Sequence, residues 1–268
     1  MKKISDLLIK KIISAHKLND TIETLAIVGS HNSKIIDKPN DIDCIAITTR
    51  DFKDKYFKDI LYRIQLTNKH ISQKSDDSFR FFLNDIEFGI TYFEHKNFYN
   101  HLNRLINGNP ESLSIINRPW VIGGKIQEVL LTDIANSNIL FDQSSRKKFT
   151  CIKNKLKKEF PKRFQNNLLL ELKNEIQTKL VLTEKSLRQK NKLIFYTGIS
   201  DICIALIRYI YTKNNNYLSS LKHVYKSYPF EIKNTTDKNT LKKILNIFDQ
   251  QDNEVIFLSI KKIYRRYF

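Results

Sequence analysis

The feature that most constrains this chain is a pair of carboxylates at the head of an apolar strand, Asp41-Ile-Asp-Cys-Ile-Ala-Ile-Thr. Side chains of an extended strand alternate between its two faces, so Asp41 and Asp43 project together from one face. Two like charges side by side are costly unless a cation binds between them. Hard oxygen donors of this kind select Mg²⁺ or Mn²⁺. Upstream, Thr24-Leu-Ala-Ile-Val-Gly-Ser reads as a short buried strand ending in Gly29-Ser30. Gly29 provides a turn with no Cβ in the way, and Ser30 places a hydroxyl beside it. A helix starting there would offer free N–H groups and a dipole suited to phosphate.

Around these segments the hydrophobic spacing predicts helices over about 4–17, 52–66 and 96–106. Phe79-Arg-Phe-Phe-Leu and Ile86-Glu-Phe-Gly-Ile-Thr-Tyr-Phe, separated by Asn84-Asp85, predict a β-hairpin. Its second arm carries Glu87 between Ile86 and Phe88. Asp85 is the rival acid, but its place in the turn explains it. Asn107-Gly-Asn-Pro and Arg118-Pro-Trp-Val-Ile-Gly-Gly mark loops. From about Ser144 onward the pattern is helical, with helices expected over 145–159, 164–188, 191–213, 217–227, 238–249 and 253–265. The simplest division is an α/β domain over 1–142 followed by a helical bundle over 143–268.

Gly29-Ser30 followed by Asp41-Ile42-Asp43 resembles the signature of the DNA polymerase-β superfamily of nucleotidyltransferases: hydrophobic-Gly-Ser, a variable stretch, then Asp-hydrophobic-Asp. That family carries a third carboxylate on a later neighbouring strand, flanked by apolar residues, and Glu87 matches it. The resemblance implies an α+β fold, with a mixed sheet flanked by helices and a C-terminal α-helical bundle. It also implies transfer of a nucleoside monophosphate from an NTP to a hydroxyl, releasing pyrophosphate, with two Mg²⁺ ions for which Mn²⁺ can substitute. In that scheme Asp41 and Asp43 hold the ion on the triphosphate, and Glu87 joins them on the ion that activates the hydroxyl. Gly29 and Ser30 would hold the phosphates. The helical half, from Ala205 to Lys222, resembles the bundle of small bacterial nucleotidyltransferases of the lincosamide and kanamycin type. Lys222 stands where a bundle lysine reaches the triphosphate in those proteins; the alternative is one lysine among many on a solvated helix face.

Charge bears on the acceptor. Lys and Arg number 46 against 28 Asp and Glu, a formal net charge of +18. Such a field attracts polyanions and suits an RNA acceptor, as in toxin-type enzymes that modify tRNA, better than a cationic antibiotic. A neutral small molecule or a protein hydroxyl stays open. The basic stretches Lys147-Lys148, Lys153 to Lys158 and Lys185 to Lys192 either track a nucleic-acid backbone or form solvated faces. His31, Lys34 and Lys38 read as loop residues, and Trp120 as a packing residue. Three dispersed cysteines and six scattered histidines make disulfides and a zinc site poor expectations. The stretch from Leu193 to Tyr211, interrupted by Asp201 and Arg208, reads as a bundle helix rather than a membrane span. With no export signal in view, a cytoplasmic location is the default expectation. The other function class in play is a degenerate nucleotidyltransferase fold that binds nucleotide or nucleic acid without catalysis.

Overall fold

The computed structural model describes residues 2–29, 41–50, 54–64, 71–74, 78–83, 86–108, 126–218 and 221–268. Two compact units divide the chain: residues 1–103 with 133–158, and residues 104–132 with 159–268.

The first unit is built on alternation. Its described strands are β1 (Ile22–Val28), β2 (Asp41–Thr48), β3 (Ile71–Lys74), β4 (Ser78–Leu83), β5 (Ile86–Glu94) and β6 (Asn138–Asp142). They form a six-stranded sheet in the order β3-β4-β5-β2-β1-β6. Only β2 and β5 run parallel; the other neighbours are antiparallel, so the sheet is mixed. One face presents Leu25, Ile27, Ile42, Cys44, Phe79, Phe81, Phe88, Ile90 and Tyr92. These pack with Ile12 and Ala15 of α1 (Lys2–Lys17) and with Ile60 and Ile64 from the α2 segment (Asp54–Arg63, Ile64 following it). Phe79, Phe81, Phe88 and Tyr92 form a stacked aromatic ladder across β4 and β5. Removing this face from water supplies the main drive for the unit.

The opposite face is divided along its length. Toward the C-terminal ends of β2 and β5 it is apolar, with Ile45, Ile47 and Phe93 buried. Phe93 packs on Phe98 of α3 (His95–Ile106), and Phe98 on Phe149 of α5 (Lys148–Lys158). Toward the N-terminal ends the same face carries Asp41, Asp43 and Glu87. Hydrophobic burial thus fixes the strands from one end and leaves charge at the other.

Asp142, at the end of β6, holds the start of α5 in this unit. Its Oδ2 accepts from the Thr150 backbone N–H at 2.9 Å and from the Thr150 hydroxyl at 2.7 Å. Burial pushes its carboxyl pKa up, but hydrogen bonds from Ser144 and Thr150 outweigh burial and hold it below the ordinary value.

The second unit is helical: the described elements include α6 (Lys162–Arg188), α7 (Lys192–Lys213), α8 (Leu221–Glu231), α9 (Thr235–Leu245) and α10 (Asn253–Tyr267), with α4 (Ile126–Asn136) spanning the division between the units. By length and composition alone α7 could cross a membrane. Within the unit it is a bundle helix, with Ile199, Ile202, Leu206 and Ile210 fully buried. Its polar groups are also tied to α6: Asp201 pairs with Lys179, and Arg208 with Glu175. Asp237, buried in α9, accepts from Tyr267 at 2.7 Å and from Asn214 at 2.8 Å, joining α9 to α10 and to the end of α7.

Candidate active site

Register brings the expected acids together. In the parallel pairing of β2 with β5, Asp41 lies opposite Glu87 and Asp43 opposite Gly89. Asp43 also lies opposite Val28 on β1, one residue before Gly29. Gly29 ends that strand with φ +71°, a left-handed conformation in which a side chain is strained. A Cβ placed there would stand 3.5 Å from Asp43 Oδ2, so the turn passes directly beside the carboxylate. Asp41, Asp43, Glu87 and Gly29 therefore share one end of one sheet in one unit. Ser30, His31, Lys34, Lys38, Asp85 and Trp120 lie outside the described residues. Lys222 belongs to the second unit, in α8, and its side chain also lies outside them.

Three residues not expected from the sequence complete the arrangement. Arg80 on β4 donates through Nη2 to Asp43 Oδ1 and through Nη1 to Glu87 Oε2, both at 3.1 Å. Ser72 on β3 donates to the other Glu87 oxygen, Oε1, at 3.1 Å. Gly89 makes the first of these bonds possible. It lies opposite Arg80 on one side and opposite Asp43 on the other. A Cβ at 89 would come within 2.7 Å of Asp43 Oδ1 and 3.3 Å of Arg80 Cζ. The guanidinium therefore crosses β5 over a residue with no side chain. Two signals in the sequence bear on this: Arg80 is a charge on the polar side of an aromatic strand, and an isolated glycine within a strand marks a close approach.

The site is half open to water, with side-chain exposures of 36% for Asp43, 26% for Glu87 and 22% for Arg80. Beneath it Cys44 points into the core, where burial and then the Asp43 charge push its thiol well above the usual range. Cys44 is thus an inert packing residue. Behind it, His16 donates from Nδ1–H to the Ile12 carbonyl at 2.8 Å and accepts at Nε2 from the Tyr92 hydroxyl at 3.0 Å. Burial lowers its pKa to about 4, so the ring is neutral.

As a test of metal fit, Asp41 and Asp43 supply hard oxygens from one strand face, which suits a divalent cation. Among the described residues no three His, Cys, Asp or Glu side chains converge as a ready ligand set. The Arg80 guanidinium engages Asp43 and Glu87 together. A positive charge is thus already part of the site, and a cation held by Asp41 and Asp43 would share Asp43 with Arg80.

The chain matches no protein-family model and no curated protein. Among solved structures it is similar to a nucleotidyltransferase-like protein from Exiguobacterium sibiricum 255-15. That similarity has 11% identity and a TM-score of 0.49, over 96% of this chain and 73% of the other.

Proposed function

We propose that this chain is a Mg²⁺-dependent nucleotidyltransferase, moving a nucleoside monophosphate from an NTP to a hydroxyl acceptor with release of pyrophosphate. The observation that carries this reading is the register of β2 on β5. It sets Asp41 beside Glu87, with Asp43 next to a strand-ending glycine of positive φ. Asp41 and Asp43 would hold the metal, which when bound supplies charge neutralisation for the triphosphate. Gly29, lacking a Cβ, lets phosphate approach the backbone at the end of β1, with Ser30 next in the chain. Glu87, fixed by Arg80 and Ser72, is a carboxylate oriented to accept a proton from the incoming hydroxyl. Positioning and electrostatics carry most of such a reaction.

RNA is the proposed acceptor class. The net charge of +18 supports it, as does α5, where Lys155, Lys157 and Lys158 are exposed. The test is transfer of label from each α-labelled NTP in turn into total RNA, in Mg²⁺, with Asp43→Asn alongside. Label in RNA with the unaltered chain only is the expected result; turnover retained by the mutant overturns the assignment of Asp43.

The Arg80 bridge also favours a second reading, a binding module that holds nucleotide or nucleic acid without catalysis. A cationic group already neutralising two of the acids serves such a module without any metal. NTP binding that ignores Mg²⁺ and survives Asp41→Asn, with no transfer, would select it.

A further inference from the structure

In the two-ion scheme Asp43 and Glu87 would share a cation, and in this fold an arginine already lies between them. Its place is set by backbone pairing rather than by a flexible loop. Arg80, Gly89 and Asp43 occupy successive register positions on β4, β5 and β2. The missing side chain at Gly89 clears the path, and the guanidinium reaches both carboxylates at 3.1 Å. Ser72 secures the other oxygen of Glu87. Arg80 is drawn largely out of water, while Asp41, two register positions before Asp43, is not paired with another described side chain.

We propose that Arg80 is the resident cation of this site, holding the position between Asp43 and Glu87 so that the chain binds one divalent ion, through Asp41 and Asp43, instead of two. The proposal rests on the nucleotidyl-transfer reading of the same residues. The guanidinium occupies the bridging position that a dication shared by Asp43 and Glu87 would take, where its charge opposes a second cation most strongly. It removes the repulsion between those two carboxylates that would otherwise recruit one. A guanidinium also fits this task better than an ammonium, since its planar fork serves two acceptors on different strands at once. Arg80 is thus a positioning residue: it orients Glu87 and sets the metal count.

The test is titration of the full chain with Mn²⁺ alone, counting bound ions by the loss of the free-ion electron paramagnetic resonance signal. The expected count is one for the unaltered chain and two for Arg80→Gln. In that variant the second ion should bind at least about tenfold more tightly than any second binding by the unaltered chain. Arg80→Lys keeps the charge and should stay at one. Glu87→Gln should leave Mn²⁺ affinity within about threefold, because Glu87 is committed to Arg80; Asp41→Asn should lose the ion. Two ions on the unaltered chain, an unchanged count in folded Arg80→Gln, or a large loss of affinity in Glu87→Gln each overturn the role of Arg80. Those results leave nucleotidyl transfer standing. No Mn²⁺ bound by any of these proteins overturns both readings together. If Arg80→Gln does not fold, the unaltered count and the Glu87→Gln affinity still decide.

Discussion

A methyl group added at position 89 would sit 2.7 Å from Asp43 Oδ1, closer than Cβ atoms come to their neighbours, with the Arg80 guanidinium just beyond. Gly89→Ala should therefore displace Asp43, Arg80 or both, and lower the proposed nucleotidyl transfer by about a hundredfold, the scale expected of misplaced reacting groups. Its melting temperature should move by only a few degrees, on the order expected for a change of about 1 kcal/mol. Equal losses of activity and of folded protein would show that Gly89 serves packing alone. Asp43→Asn keeps the shape of the side chain and removes its charge; we expect transfer to vanish while circular dichroism stays unchanged. His16 gives a separate prediction. Its pKa is lowered from 6.5 to about 4 by burial, so unfolding releases a ring that takes up a proton below about pH 6.5. The corresponding stability is complete above that pH and is lost as pH falls through about 4, at most about 3 kcal/mol. Urea midpoints between pH 7 and pH 5 should fall more steeply for the unaltered chain than for His16→Gln; matching slopes would remove His16 from the account.

Among the elements, the antiparallel pair of β4 and β5 follows from sequence alternation, with Leu83 opposite Ile86. The strands β3 and β6 were not legible there. At four and five residues each, with mixed polarity, they owe their extended form to partners: β3 to β4, and β6 to β1. In the bundle, the close approach of α6 and α7 depends on Gly198, where a Cβ would collide with the Thr183 hydroxyl and stand 3.2 Å from its Cβ. Thr183 is buried and its hydroxyl donates to the Lys179 carbonyl at 2.7 Å, so it has little room to yield. Gly198→Ala should destabilise the second unit by about 1–3 kcal/mol despite the better helix propensity of alanine. Thermal unfolding measures this; a neutral or stabilising result would mean that the helix pair separates at little cost.

At the scale of the whole molecule, each unit buries apolar side chains of its own, and the candidate site lies within the first. The net charge of +18 belongs to the chain as a whole and makes one prediction at that scale. If RNA is the acceptor, its binding should weaken linearly in log affinity with log salt, by about 0.7 per phosphate contact for single strands. Measurement between 50 and 200 mM KCl, roughly the range over which such contacts are screened, checks it. Affinity insensitive to salt would turn the search to a neutral acceptor.

That Asp41 and Asp43 share a face was readable in advance because strand alternation is a local property and holds wherever that strand is placed. The same holds for the polar end of β5 at Glu87 and for the helical periodicity of the second half. Which strand would lie beside which is not local. Pairing β2 with β5, and β4 beyond it, sets Arg80, Gly89 and Asp43 in one row, though 37 residues of chain separate Arg80 from Asp43. An arginine in an aromatic strand and a glycine in the next carry no such message by themselves. Only the register, decided by burying the opposite face of the sheet, turns them into a charge between two carboxylates.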